Sequence, residues 1–217
     1  MKKNEVQLAM LAGIGSMLVE EGFKLKKTDK CLVRKINGGR QMVSVPVKDY
    51  NPEFIVTIKA SVRFDAVQEL VCRSEGREPL TYTDTTLTSL EYFYPEQRIE
   101  KRFPVCSSED ISRLLDELRP VITTQLLPLF EEWKNLEAVE KVLNWSTEPY
   151  QHAGYPARGS VGVAAAYLAD PERFEQVVKK YEDEMAALKL IDIYVDRVKA
   201  TITYLRGLRA NAQPSSE

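Results

Sequence analysis

The sequence predicts an α+β fold: an N-terminal helix, an antiparallel sheet of four to five strands, and a helical C-terminal half. Three observations lead to this class. An apolar stripe with helical spacing begins at Val6, alternating residues fill positions 31–64, and helical periodicity returns after Ser107. A chain that groups its strands and its helices separately in this way is typical of α+β proteins.

The composition is that of a folded chain with little net charge. Of 217 residues, 44% are hydrophobic and 29% are charged, and the formal net charge is −2. Dedicated nucleic-acid binders usually carry a basic excess, so we expect no nucleic-acid partner. Three dispersed cysteines and a single histidine give no zinc-ligand pattern. We therefore expect no metal, no cofactor, and reduced cysteines in the cytoplasm.

The N-terminal segment is interpreted as an amphipathic helix, with a short signal peptide as the alternative. Lys2 and Lys3 precede an uncharged run, as in a signal peptide. The apolar residues nevertheless share one helical face, and Gly22 suits the position that follows a helix end. No apolar run is long enough to span a membrane, so no membrane partner is expected. The helical face comprises Val6, Met10, Ile14, Met17 and Leu18.

Residues 31–64 are predicted to form strands. The sequence Asn37-Gly38-Gly39-Arg40 supplies a tight hairpin turn, because glycine accepts a positive φ. Pro46 cannot donate a ladder hydrogen bond, so its run should be an edge strand or contain a bulge. The segment 54–64 alternates most regularly and is predicted to be one strand with a buried face and a wet face. Residues 86–94 and 98–103 can add two strands, and the pattern leaves residues 65–78 open.

Capping residues and prolines organise the helical half. The segment from Ser107 to Asp110 matches an N-terminal cap, and Pro120 and Pro128 should kink or split the run that follows. This gives a predicted sheet region over 1–106, a helical region over 107–210, and a disordered tail over 211–217.

A loop is predicted over residues 146–158, because prolines and a glycine punctuate it. A short helix from Val161 to Ala169 follows. Asp170 and Pro171 are the residue types that begin a helix well, as N-cap and as first helical residue.

The interval 172–206 contains no glycine or proline and carries an apolar stripe of seven-residue period. One interpretation is a single helix of about 52 Å, which would need a partner and implies a homodimer. The other is a break near residues 189–192 into two antiparallel helices, which is favoured because Asp192 interrupts the stripe. In that case the stripe folds back on its own chain.

A cationic strand face is the first candidate site. Lys59, Ser61 and Arg63 are predicted to share one face of the 54–64 strand, and Arg34 joins them if the register of its hairpin allows. Such a row on an open sheet could bind an acidic protein, a phosphate or a nucleic acid. The alternative is a solvated face that only aids solubility.

The 148–158 loop is the second candidate and contains His152, Tyr155 and Arg158. A loop histidine could act as a general base if a carboxylate such as Glu148 oriented it. The alternative is an ordinary surface histidine. No nucleophile motif, P-loop or dinucleotide fingerprint accompanies this loop, so the sequence assigns no catalytic residue.

Four segments carry a family resemblance. They are Glu21-Gly22-Phe23-Lys24, Leu32-Val33-Arg34, the strand from Phe54 to Ile58, and Val161 to Leu168 followed by Phe174. In these the chain resembles a loose bacterial family known as a domain of unknown function, some members of which are associated with immunity or antitoxin roles. The resemblance implies an α+β fold and transfers no catalytic residue.

From these observations we expect a non-catalytic binding or regulatory protein of the bacterial cytoplasm that binds another protein. An immunity-type protein is the more specific form of this expectation. The alternatives are an enzyme of unfamiliar type that uses the 148–158 loop, or a weak phosphate or nucleic-acid binder that uses the cationic strand face.

Overall fold

The computed structural model confirms the α+β class. An N-terminal helix, a five-stranded antiparallel sheet, a three-stranded sheet and a helical C-terminal half are present. None of the helices described is long and apolar enough to cross a membrane. The structure describes residues 1–78, 84–94, 102–146, 157–187 and 191–212.

The chain divides into two compact units, and each of them is discontinuous in sequence. Unit 1 comprises residues 1–62 and 87–134, and unit 2 comprises residues 63–86 and 135–217. This division cuts the chain at other places than the predicted boundary between residues 106 and 107.

Unit 1 holds the sheets and the helices that precede and follow them. Its elements are α1 (Lys3–Leu18), β1 (Lys24–Lys26), β2 (Cys31–Ile36), β3 (Gly39–Ser44), β4 (Val47–Asp49), β5 (Phe54–Val56), most of β6 (Lys59–Phe64), most of β7 (Thr86–Ser89), a 3-10 turn (Leu90–Phe93), β8 (Phe103–Val105), α3 (Ser108–Val121), a π-helical turn (Ile122–Leu126) and α4 (Leu127–Glu132).

Unit 2 is helical and includes the segment that the sequence left open. Its elements are α2 (Asp65–Ser74), α5 (Leu136–Trp145), α6 (Ala157–Ala169), α7 (Phe174–Ala187) and α8 (Asp192–Ala212).

Helix α1 is the predicted amphipathic helix. Gly22 has φ +83° and donates its backbone N–H to the carbonyl of Val19, so it ends the helix as predicted. Gly13 allows α3 to approach closely, since a Cβ there would lie less than 3.0 Å from the Leu115 side chain. The buried residues of α1 are Val6, Met10, Leu11, Ile14 and Leu18.

The strands form two sheets. The five-stranded sheet has the order β1-β2-β3-β6-β7, and the three-stranded sheet has the order β4-β5-β8. Strands β2 and β3 are antiparallel, with Ile36 opposite Gly39, and Gly38 in the connecting turn has φ +69°. The predicted hairpin is therefore confirmed.

The prediction of one continuous strand over residues 54–64 is wrong. That segment forms β5 in the three-stranded sheet and β6 in the five-stranded sheet. The opposite run divides in the same way around Pro46, into β3 and β4. Pro46 has no N–H for a ladder, while its carbonyl accepts the N–H of Thr57 at 2.9 Å. The segments 39–49 and 54–64 thus both pass from one sheet to the other at the corner where Pro46 and Thr57 are hydrogen-bonded.

The two further predicted strands are present only in part. Strand β7 occupies the beginning of the 86–94 segment, and a 3-10 turn completes it. Strand β8 begins at Phe103, and it pairs with β5 so that Phe54 lies opposite Val105. Residues 95–101, which contain most of the predicted 98–103 strand, lie outside the described residues.

The cap of α3 is confirmed, Pro120 lies inside α3, and a π-helical turn separates α3 from the helix that contains Pro128. The Ser107 hydroxyl accepts the N–H of Asp110 at 3.2 Å. The run then continues through residues 122–126, where the N–H of Leu127 donates to the carbonyl of Ile122, five residues earlier. Pro128 has no N–H for a normal helical bond, so the wider turn is the local adjustment to it.

Helices α6 and α7 do not begin where the sequence predicted. Helix α6 begins at Ala157, before Val161. Helix α7 begins at Phe174, because residues 171–173 first form a turn in which Asp170 accepts the N–H of Arg173 at 3.3 Å.

The interval 172–206 forms two antiparallel helices, α7 and α8, so the single long helix is wrong. Arg206 near the end of α8 pairs with Glu175 in the first turn of α7 at 2.7 Å. The stripe is buried within the chain, so no second copy is required to cover it, and the homodimer stays a prediction. Its buried members include Phe174, Val178, Tyr181, Val198, Ile202 and Leu205. Residues 213–217 of the predicted tail lie outside the described residues, while residues 211 and 212 belong to α8.

Candidate functional site

The predicted cationic face of β6 is not an open surface. Lys59 is exposed, but Ser61 is 7% exposed and Arg63 is 5% exposed. Strand β6 lies inside the sheet between β3 and β7, and all of its residues after Lys59 are buried. The expectation of one wet face is therefore wrong, since alternating polarity also fits a strand that buries its polar side chains in ion pairs.

Arg34 is held inside unit 1 and does not extend the predicted row. Its Nε donates to Gln41 Oε1 at 2.8 Å, across the β2–β3 pair. Its guanidinium carbon lies 4.9 Å from the ring centroid of Phe23, and Nη1 lies 3.1 Å from Glu131 Oε1. Gln41 in turn donates to the carbonyl of Phe130. Arg34 thus joins the sheet to α4 and has a structural role.

The charge around Arg34 is balanced by exposed carboxylates. A hydrogen bond from Lys134 and the charge of Arg34 lower the pKa of Glu131 below its ordinary value, although burial opposes the shift. The Arg34 side chain is 9% exposed, and Nη2 has no hydrogen-bond partner among the described residues.

Arg63 lines an open cavity of about 460 Å³ in unit 2, which we name the arginine cavity. Three guanidinium groups reach it from the end of β6, from α2 and from the turn after α2. Three carboxylates alternate with them, so the lining carries no net charge. The lining residues are Arg63, Asp65, Glu69, Arg73, Arg77 and Glu78.

The ion pairs of the arginine cavity differ in exposure. Arg63 Nε donates to Asp65 Oδ1 at 2.6 Å, with a side chain 6% exposed for the arginine and 61% exposed for the aspartate. Arg73 and its partner Glu69 are both more than half exposed. The Arg63 guanidinium is therefore fixed, whereas its acidic partner can turn into solvent.

Arg77 has a different position, because its partner is buried. Its Nε lies 2.5 Å from Glu75 Oε2, and the Glu75 side chain is 9% exposed. The hydrogen bond with Glu75 raises the pKa of Arg77 above its ordinary value. Glu75 thus holds Arg77 in the wall of the cavity from behind the lining, whereas Arg63 and Arg73 present the exchangeable contacts.

Arg158 is a capping residue of α5. It is 4% exposed, lies on α6, and donates through Nε to the carbonyl of Leu143. Lys180 donates to the carbonyl of Asn144 one residue later. Both carbonyls belong to the last turn of α5, where unpaired acceptors and the helix dipole favour cations. The structure therefore places Arg158 at a structural position.

The cap continues into a buried polar network. Asn144 Nδ2 donates to Glu140 Oε1 at 2.9 Å and to the carbonyl of Gly162 at 3.0 Å. Tyr181 donates to Asn144 Oδ1 at 2.9 Å. Burial and the charge of Arg158 lower the pKa of Lys180 below its ordinary value, while Glu184 and Glu140 act against them. The bonds of Asn144 on α5 with Gly162 on α6 and with Tyr181 on α7 hold these three helices together.

His152 and Tyr155 lie outside the described residues, so the enzyme alternative that uses this loop stays a prediction. The described residues contain no cluster of His, Cys, Asp and Glu that could hold a metal ion.

Sequence reasoning found Arg63 but missed its neighbours in the arginine cavity. Arg73 and Arg77 lie in the segment 65–78, to which the sequence pattern assigned no secondary structure. In that segment Glu69 and Arg73 form an i, i+4 pair of opposite charges, which indicates a helix. A helix predicted there would have placed Arg73 and Arg77 beyond the end of β6. A comparison with family models, with curated proteins and with solved structures found no match, so the family resemblance stays an expectation.

Proposed function

We propose that the protein is a non-catalytic binding protein of the regulatory or immunity type, which takes up carboxylate groups of a protein partner at the arginine cavity. The observation that carries this proposal is the unequal exposure of the Arg63–Asp65 pair. A fixed, desolvated guanidinium faces an acid that is 61% exposed, so a partner carboxylate can take the place of Asp65.

The exchange of ion pairs costs little at this surface. Exposed pairs such as Arg73 with Glu69 contribute about 0–1 kcal/mol to stability, so breaking them on binding is a small loss. A partner carboxylate gains the planar, multidentate hydrogen bonding of arginine instead. Because the lining is neutral overall, its long-range attraction for an acidic partner is weak and we expect modest affinity. Salt should weaken binding further, since it screens the new ion pairs at this open surface.

The test uses an oligoglutamate peptide with a fluorescent label as the probe, and fluorescence anisotropy at low and moderate salt as the measurement. Arg73→Glu should weaken binding about fivefold, since it replaces an attractive contact with a repulsive one at an exposed position. Arg63→Lys keeps the charge but loses the fork geometry, and should weaken binding about tenfold.

The matched control is Arg113→Glu. Arg113 is likewise an exposed helical arginine with a nearby acidic partner, Asp110, but it lies outside the arginine cavity. This variant should bind like the wild type. An equal loss in Arg113→Glu would reduce the effect to net charge, and no binding by the wild-type chain would remove the proposal.

The homodimer through residues 172–206 is a separate proposal. In the described part of that interval, Ile191 and Ile193 are large apolar side chains exposed by 68% and 57%. They would have to form its contact. Light scattering at several concentrations should show a dimer that Ile193→Lys dissociates, and a monomeric mass throughout would contradict it.

A further inference from the structure

A second open cavity in unit 2, of about 480 Å³, has a different character from the arginine cavity, and we name it the tryptophan cavity. Its apolar wall comes from Trp145 and Val142 on α5. Two cations lie beside that wall, Lys141 on the same helix and Arg173 in the turn before α7. Its lining residues are Lys141, Val142, Trp145, Ser146 and Arg173, and no carboxylate is among these described residues.

The indole in this cavity is fixed by a buried carboxylate. Trp145 Nε1 donates to Glu140 Oε1 at 3.0 Å, and Glu140 is 2% exposed. The same oxygen accepts Asn144 Nδ2, so its position is determined by two donors. The ring is thus held in one orientation before any ligand arrives, which lowers the entropy cost of packing against it.

Arg173 is stacked on this indole. Its guanidinium carbon lies 4.0 Å from the ring centroid of Trp145. An arginine stacked in this way keeps its N–H groups in the plane of the guanidinium, where they can bind a carboxylate with two hydrogen bonds. Its protein partners are long contacts, with Asp170 Oδ2 at 3.8 Å and Gln176 Oε1 at 3.4 Å, so a ligand can compete with them.

We infer that the tryptophan cavity binds a small planar aromatic carboxylate. The ring packs against Val142 and against the surface of Trp145 that Arg173 leaves uncovered, and the carboxylate binds Arg173 with Lys141 nearby. The charge of the lining selects the anion, and the fixed indole selects a flat ring. An aliphatic acid would lose the ring contact, and a neutral aromatic compound would lose the ion pair. This inference does not depend on the proposed function, since the two cavities share no lining residue.

The test is a titration of the ¹⁵N-labelled full chain with 2-naphthoate, followed by NMR. The chain has two tryptophans, hence two indole N–H signals, and Trp145→Phe assigns them. Trp133 is fully buried in unit 1, so its signal is an internal control. The Trp145 signal should shift saturably while the Trp133 signal stays in place. An unmoved Trp145 signal, or equal shifts of both signals, would overturn the inference.

Ligand and protein variants separate charge from shape. The neutral 2-naphthamide and the non-aromatic cyclohexanecarboxylate should each bind at least about fivefold more weakly than 2-naphthoate. Arg173→Gln should weaken 2-naphthoate about tenfold. Arg113→Gln is the matched control, because Arg113, like Arg173, pairs with an aspartate three residues before it and lies outside the lining of this cavity. Equal binding of the amide, or equal losses in the two arginine variants, would contradict the inferred ligand class.

Discussion

Gly162 is the position at which the smallest change should have a large effect on stability. It lies in α6, where Asn144 donates to its carbonyl. An added Cβ would lie less than 3.0 Å from both Asn144 Oδ1 and the Tyr181 hydroxyl, the two atoms of a buried hydrogen bond. The single methyl group of Gly162→Ala must therefore push these groups apart.

The magnitude follows from three contributions. Overpacking a buried site costs about 1–3 kcal/mol. Loss of the hydrogen bond between Tyr181 and Asn144 adds about 1 kcal/mol. The better helix propensity of alanine offsets about 1 kcal/mol of this loss. We therefore expect Gly162→Ala to lower the free energy of unfolding by about 2 kcal/mol.

Gly207→Ala is the matched control, because Gly207 also lies within a helix and a Cβ there would meet nothing within 4 Å. It should be neutral or more stable by up to about 1 kcal/mol. Urea unfolding of both variants measures the difference. In a Tyr181→Phe background, where the hydroxyl is absent, Gly162→Ala should cost about 1 kcal/mol less. If Gly162→Ala unfolds like the wild type, or if Tyr181→Phe does not reduce its cost, the account of this network is wrong.

Three further predictions concern unit 1. Arg34→Ala should lower the free energy of unfolding by about 3 kcal/mol, against less than about 0.5 kcal/mol for the exposed Arg113→Ala, and urea unfolding compares them. Backbone hydrogen bonds, that of Cys106 first, lower the pKa of Asp110 below its ordinary value of 3.8. The Asp110 carboxylate should therefore stabilise the fold above pH 3.8, and this contribution should be lost as the pH falls through the pKa that Asp110 has in the folded chain. Asp110→Ala should thus be less stable than the wild type at neutral pH, with a gap that closes in acid; a constant gap would contradict this. Burial, with the charge of Glu117, raises the pKa of Tyr94 to about 12. Ultraviolet titration should therefore show one phenol that ionises at higher pH than the others, and Tyr94→Phe should remove it. The contribution of Tyr94 to stability should be lost as the pH rises from 10 towards 12.

Local signals in the sequence were sufficient for elements whose conformation is set by their own residues. Gly22 and Gly38 take the positive φ that their positions after a helix and in a hairpin required. Ser107 caps its helix because its hydroxyl and the backbone of Asp110 are three residues apart. Such contacts are close in sequence, so they leave a pattern that can be recognised before any tertiary structure is known.

Burial of polar residues could not be predicted in the same way. Arg34 and Arg63 have the alternation expected of a solvated face, yet each is buried against partners that the alternation does not reveal. Arg34 bonds Gln41, which lies in the same hairpin, two strand positions from the turn. Gln41 in turn bonds Phe130, which lies on a helix far along the chain. Arg158 was assigned to a loop because Pro156 precedes it, although the carbonyl it caps belongs to another helix. Partners distant in the chain decided the positions of Arg34, Gln41 and Arg158, and one sequence contains no pattern for them.

The corner at Pro46 and Thr57 determines where the chain can change in length. Each run of this hairpin supplies strands to two sheets, so one inserted residue between the corner and either sheet would turn a whole strand over and expose its apolar side chains. The connection from Asp49 to Phe54 lies beyond the last paired residues, and Tyr50 within it is 60% exposed. Insertions of foreign peptide should therefore be accepted next to Tyr50 and rejected beside Pro46.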